Sequence, residues 1–225
     1  MEIINFDSHS QLDDYIGYQT DYMPLGQGTE GVCYRGKDGK AYKVYSKDGY
    51  REFYPLETIL TKDDFSLKSF AFPETIFTVD GYMEAYTSTL VPRNLFDDEH
   101  LTVSGIKDIN FDNLIEAYKI MSDEVNLLTK SGIVFSDLPG NILFDGVNLV
   151  AIDTCDYVKN DTSGESLSNQ ALIDEAIKEA FDKLFEDEES EGLFVNPNQD
   201  TVSYLRDIEA TFKSTNKVKV HSMKR

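Results

Sequence analysis

The chain has 225 residues, 40% of them hydrophobic, enough to bury a core as one domain or as two small lobes. A formal charge of −20 argues against nucleic acid or an anionic membrane as a general partner, and any nucleotide site in so acidic a chain needs local cations and a divalent ion. Two cysteines, Cys33 and Cys155, fit a reducing compartment without a disulfide framework; with an acidic start and no long apolar run, the expectation is a soluble cytoplasmic protein.

Residues 1–24 carry scattered apolar positions and polar breakers, with a short helix expected over 11–18 and Ser10 as its N-cap. Residues 25–34 read L-G-Q-G-T-E-G-V-C-Y, in which Gly26, Gly28 and Gly31 form G-x-G-x-x-G. That pattern also opens dinucleotide folds, but there it leads into a helix. Here β-formers follow, then the turn Lys37-Asp38-Gly39-Lys40, then Ala41-Tyr42-Lys43-Val44-Tyr45. The reading is strand, glycine loop, strand, hairpin, strand.

Residues 51–62 (R-E-F-Y-P-L-E-T-I-L-T-K) predict a helix whose first turn takes Pro55. Residues 74–79 and 82–86 are strand-like runs around Asp80-Gly81. Residues 92–98 read as a linker. In 111–130, Leu114, Ala117, Tyr118, Met121, Val125 and Leu128 recur at three-and-four spacing, which predicts a long amphipathic helix stopped by Gly132.

Residues 136–156, S-D-L-P-G-N-I-L-F-D-G-V-N-L-V-A-I-D-T-C-D, read as a polar loop, a strand, an Asp-Gly turn, a second strand and a carboxylate. Asp137, Asn141 and Asp153 are thereby expected near one mouth. Such a set suits phosphoryl transfer: one carboxylate orients an attacking hydroxyl, while the Asn and the other carboxylate hold Mg²⁺ on the phosphates.

Taken in order, these motifs resemble the protein-kinase-like superfamily, as a small, divergent, bacterial-type serine/threonine kinase-like domain. F-S-D-L-P-G-N stands where that family has its H-R-D-x-x-x-x-N loop, D-T-C where it has D-F-G, and A-Y-K-V where it has V-A-I-K. L-G-Q-G-T-E-G-V-C-Y lies close to the family's glycine-loop wording. The resemblance implies an α+β, two-lobed protein-kinase-like fold. Its N-lobe, 1–92, is an antiparallel sheet with one helix; its C-lobe, 93–225, is helical and shortened.

The same resemblance implies Mg²⁺ (or Mn²⁺) and ATP as cofactors. Leu25, Gly26, Gly28, Gly31 and Cys33 would then surround the nucleotide, Lys43 would bind its phosphates, and Asn141 and Asp153 would hold the metal. Asp137 is the implied catalytic carboxylate, with Lys43. Glu57 is the first choice for the helical carboxylate that pairs with Lys43, and Glu52 the alternative. M-E-A-Y resembles hinge wording, which makes Met83 a gatekeeper and gives the backbone of Glu84 and Tyr86 to the base.

The implied reaction moves the γ-phosphoryl group of Mg·ATP to a hydroxyl on an unidentified protein (Ser/Thr) or small molecule. The chain also departs from the family. Phe135-Ser136 replaces His-Arg, the Asp137–Asn141 gap is one residue short, and no A-P-E follows Asp153. These departures leave open a pseudokinase, a nucleotide-binding or regulatory module without turnover. Further on, the sequence predicts helices over 168–189 and 201–212, an acidic run at 186–191 that reads as a solvated face, and a basic tail. Cys155 has no evident base, since His9, His100 and His221 stand in polar stretches.

Overall fold

The computed structural model describes residues 2–46, 56–135, 138–159, 168–185, 190 and 192–222, with 214–222 described as backbone alone. The protein is mixed α+β and divides into two compact units, Met1–Val91 with Ile152–Asn160, and Pro92–Ala151 with Asp161–Arg225. The sequence reading places the lobe boundary after residue 92, and the first unit's main stretch ends at Val91. The exception is Ile152–Asn160, which carries Asp153 into the first unit.

The first unit is built on a six-stranded sheet in the order β1-β5-β6-β4-β3-β2. Its strands are β1 (Glu2–Phe6), β2 (Thr20–Gln27), β3 (Gly31–Gly36), β4 (Lys40–Tyr45), β5 (Thr75–Val79) and β6 (Tyr82–Thr89). Five of them are antiparallel neighbours, as the turns require. Asp38-Gly39 closes β3 to β4, with Gly39 at φ 81°. Asp80 and Gly81 close β5 to β6, both at positive φ (53° and 84°), the backbone that suits the twist of a tight hairpin.

The expected purely antiparallel sheet is corrected by β1, which pairs parallel to β5 from Glu2↔Thr75 to Phe6↔Val79. This strand is a short edge element whose exposed and half-buried residues alternate, so its apolar signal is weak. Helix α1 (His9–Gln19) follows it. Ser8, not Ser10, is its N-cap and accepts from Gln11 N at 3.3 Å, while Gln11 Oε1 accepts from Asp7 N at 3.1 Å. The first bond satisfies a donor that the helix start leaves open, and the second ties the residue before the cap to the first turn.

Leu12 and Ile16, one turn apart on α1, pack on Tyr42, Phe77, Val79 and Ala85, with Ile4 and Phe6 of β1 beside them. Ile59, Ile76, Tyr86 and Cys155 form a second cluster with Tyr45, Leu56 and Met83. Successive side chains of a strand point to opposite faces. β4 therefore gives Tyr42 and Val44 to the α1 face, and Lys43 and Tyr45 to the other. Ile152–Asn160 is tied into this unit by Thr154 Oγ1, which donates to Ala71 O at 3.3 Å, and by Tyr157 edge-on to Phe72.

The helix expected over 51–62 is not the one the fold supplies. Among the described residues its span shows one 3₁₀ turn, Leu56–Thr58, and 51–55, with Glu52, lie outside the description. The helix of this unit among the described residues is α1, N-terminal to the glycine loop.

In the second unit α2 (Phe111–Lys130) is as the periodicity predicts. Asn110 caps it, and Gly132 beyond it takes φ 77°. Leu114, Ala117, Met121, Val125 and Leu128 are buried where α2 meets α3 (Asn169–Asp182) and α4 (Thr201–Ser222). The short strand β7 (Ile133–Val134) follows α2; β8 (Ile142–Phe144) and β9 (Leu149–Ala151) form the expected hairpin. Helix α3 ends at Asp182, earlier than the apolar spacing suggests, and a 3₁₀ turn, Lys183–Phe185, follows. Helix α4 runs on to Ser222, beyond the expected end at 212, and Tyr204, Leu205, Ile208 and Phe212 are buried on it.

Candidate functional site

The glycine loop is a tight connection between β2 and β3. Gln27 faces Val32, and Gly28 N donates to Gly31 O at 3.0 Å across Thr29 and Glu30. The glycines differ in why they are needed. A Cβ on Gly31 would lie 2.1 Å from Val44 O, so Gly31 lets β4 approach. A Cβ on Gly26 or Gly28 would meet nothing within 4 Å. On the side where a Cβ would stand, these two glycines border open space, which lets a ligand come close to the hairpin backbone. Leu25 is exposed beside them, and Cys33 stands in register with Lys43.

Lys43 is the centre of the site. Its side chain is 10% exposed, and its Nζ donates to Glu30 Oε2 at 3.3 Å and to Asp153 Oδ1. The ammonium also lies 5.2 Å from the centre of the Tyr45 ring. Burial disfavours the charge, but Asp153 and then Glu30 outweigh it and hold the pKa above the usual lysine value. A lysine and a carboxylate 110 positions apart in the sequence thus meet within one unit.

Asp153 is held in an uncommon backbone state. It takes φ 58° and ψ 46°, the left-handed region, at the start of the 3₁₀ turn Thr154–Asp156. A residue other than glycine there costs about 1 kcal/mol or more, and such strain concentrates at sites where a side chain must point one way. Tyr86 donates its hydroxyl to Asp153 Oδ1 at 3.3 Å. Among the described residues, the Lys43 and Tyr86 hydrogen bonds to Asp153 both fall on Oδ1.

Two tyrosines and a thiol line the floor. Burial, and after it the nearby thiol and Asp153, push the Tyr45 and Tyr86 phenols well above their ordinary value. Burial pushes the Cys155 thiol up to about 12, against hydrogen bonds from Tyr45 and Tyr86. Cys33 is also raised, by burial, with Lys43 opposing. Both shifts disfavour the thiolate, the reactive form of a cysteine.

The other expected site residues are placed as follows. Glu57 is exposed on its 3₁₀ turn, and among the described residues the carboxylates on Lys43 Nζ are those of Glu30 and Asp153. Tyr86 sits mid-strand in β6, in register with Lys43 on one side and Ile76 on the other. Its backbone faces neighbouring strands, so its contribution to the site is the hydroxyl. Glu84 is buried and faces His9, with 3.1 Å between Oε1 and Nε2. Met83 packs against the Tyr86 cluster. Asn141 belongs to the second unit, at the end of a turn closed by its N–H on Leu138 O at 2.9 Å, with Gly140 at φ 78°. Asp137 lies outside the described residues.

The sequence reading missed Glu30, although it stands inside the motif. It occupies the tip of the hairpin, where a turn residue can send its side chain back along the sheet.

The donor chemistry fits a metal-bound triphosphate in part. Among the described residues no group of three or more His, Cys, Asp or Glu side chains is arranged to hold a metal alone. Mg²⁺, however, is commonly held by one or two carboxylates together with the phosphates themselves. Asp153, with Glu30 beside it, would supply hard oxygen donors for that mode, Lys43 would supply the cation, and the unobstructed Cβ sides of Gly26 and Gly28 would leave room for the phosphates. No helix among the described residues is long and apolar enough to cross a membrane. Neither a protein-family model nor a curated protein matches the chain.

Proposed function

We propose that this protein binds Mg·ATP at the Lys43–Asp153 pair and is a phosphotransferase of the protein-kinase-like type. The observation that carries the reading is that pair. Two residues singled out from separate motifs are joined in one unit, under a glycine hairpin whose Gly26 and Gly28 are unobstructed. In this reading Lys43 anchors the phosphates and Asp153 holds the metal, which neutralises charge that the acidic chain would otherwise repel. Asn141 as a further metal ligand, and Asp137 as the carboxylate that orients an acceptor hydroxyl, rest on the sequence motif alone. The acceptor is a protein Ser/Thr or a small molecule.

A second reading is a pseudokinase that binds nucleotide without turning it over. The observation in its favour is that two carboxylates already occupy Lys43, one of them from the glycine hairpin. The short spacing from Asp137 to Asn141 adds to it, because a misplacement of about 1 Å can cost on the order of a hundredfold in rate.

Single-turnover assays with labelled Mg·ATP separate the two. A kinase gives labelled protein or a labelled small molecule, and Asp137→Ala reduces transfer by at least about a hundredfold. Saturable Mg·ATP binding with no transfer establishes the second reading. Transfer undiminished in Asp137→Ala removes that residue from the mechanism.

A further inference from the structure

Glu30 sits where a phosphate oxygen would be expected to meet Lys43. Its Oε2 is 3.3 Å from Lys43 Nζ, and the same ammonium binds Asp153 Oδ1. An ammonium has three donors, and two are taken by carboxylates. The Glu30 backbone is also pinned: Ser46 N donates to Glu30 O at 2.8 Å, and the hairpin closes through Gly28 N on Gly31 O. The hairpin thus holds the Glu30 backbone in place, and the side chain reaches Lys43 from there. Counting Lys43, Glu30 and Asp153 together, the cluster carries one net negative charge.

A bare triphosphate entering this cluster must share Lys43 with two carboxylates and lie beside them. Both effects oppose binding, since like charges at such distances repel strongly near a protein surface. A triphosphate that carries a divalent ion meets the reverse situation. Glu30 and Asp153 converge on one atom, so a cation brought in with the phosphates lies within reach of both carboxylates. The charge that excludes the bare anion attracts its metal complex.

We propose that Glu30 is a specificity-determining residue that makes this site select metal-complexed nucleoside triphosphate over the free anion. The inference rests on the nucleotide-site reading above, and deepens it by assigning Glu30 to the ligand's metal. Glu30 is a turn residue whose side chain is about a quarter exposed (28%), so its amide variant keeps the shape of the hairpin.

The test is equilibrium binding of ATP by calorimetry, once with Mg²⁺ and once with a chelator. It uses the full chain, Glu30→Gln, and Asp13→Asn as a control for removal of a surface charge elsewhere. The wild type should prefer Mg·ATP. Glu30→Gln should compress that preference by about tenfold or more, mainly by tightening metal-free ATP. Asp13→Asn should leave the preference unchanged. An unchanged preference in Glu30→Gln, or an equal change in the control, overturns the assignment of Glu30 while leaving the nucleotide site standing. If the wild type binds ATP in neither condition, the nucleotide site fails and the role of Glu30 fails with it.

Discussion

The two faces of β4 show how one strand divides its work. Tyr42 and Val44 point into an apolar layer with Phe77, Val79, Leu12 and Ile16. Lys43 and Tyr45, next to them in sequence, point to charged and hydroxyl groups: Asp153, Glu30 and Tyr86. The α1 face contributes stability through burial and ring packing. The opposite face holds a lysine and an aspartate that need each other, since removing one leaves the other charge part-buried and unpaired. Changes on the α1 face should therefore move folding free energy alone, whereas changes on the opposite face should move ligand binding as well as stability.

The sharpest way to break that division is Phe77→Ala. Phe77 is 1% exposed and stacks on Tyr42 with ring centroids 6.0 Å apart. Its removal should cost about 3–5 kcal/mol of stability in denaturant unfolding. The fraction that remains folded should still bind Mg·ATP with wild-type affinity. A large loss of affinity in that fraction would show the two faces to be coupled.

The glycine loop offers an internal comparison of smaller size. Gly31→Ala forces a Cβ toward Val44 O, and backbone cannot yield cheaply, so a destabilisation of about 1–3 kcal/mol is expected. Gly28→Ala meets no atom and should change stability by no more than about 0.5 kcal/mol. It should nevertheless weaken Mg·ATP binding several-fold, because its Cβ occupies the space through which phosphates reach the backbone. Equal effects of the two substitutions on both readouts would refute the separation of roles.

The smallest expected effect concerns pH, and it lies away from the site. Glu74 is bonded by Lys62 at 2.6 Å and by Lys40 at 3.1 Å. Burial raises its pKa, but the two lysines outweigh burial and hold it below the usual glutamate value. A depressed carboxylate contributes stability above the unfolded-state pKa of about 4.3, and loses it as pH falls through the folded-state value. Glu74→Gln should therefore lower stability at pH 7 by at most about 1 kcal/mol, because Lys62 is more than half exposed and screened. The variant and the wild type should converge as pH falls through the depressed folded-state value of Glu74. A gap that persists at low pH would mean that the effect is packing rather than charge.

Much of this arrangement was legible in the sequence. Alternation and Asp-Gly turns located β3 to β6, and the three-and-four spacing of residues 111–130 gave α2 its observed ends. Lys43 and Asp153 were identified from motif position alone, and the fold brings them together. What was not legible depended on tertiary contacts. β1 is an edge strand whose partner, β5, is far along the chain, so no local pattern signals parallel pairing. The start of α1 was misplaced because Ser8 and Ser10 both suit a cap, and the Gln11 bond that favours Ser8 becomes evident only in three dimensions. The sequence points to the following segment, through Glu57 or Glu52, for the carboxylate on Lys43; among the described residues Glu30 reaches it from a turn, a choice of side-chain direction that residue type does not encode. Tyr86 was assigned a backbone role, but β6 continues past it to Thr89, so its side chain is what enters the site.

The central claim is that the Lys43–Asp153 pair marks a nucleotide-phosphate site. The most direct test is the melting temperature of the full chain with and without saturating Mg·ATP, alongside Lys43→Met and Asp153→Asn. A ligand that binds the native state alone must raise the melting temperature. The account predicts a clear rise for the wild type and its loss in both variants, each still folded by circular dichroism. No rise in the wild type, or an equal rise in all three proteins, would contradict it.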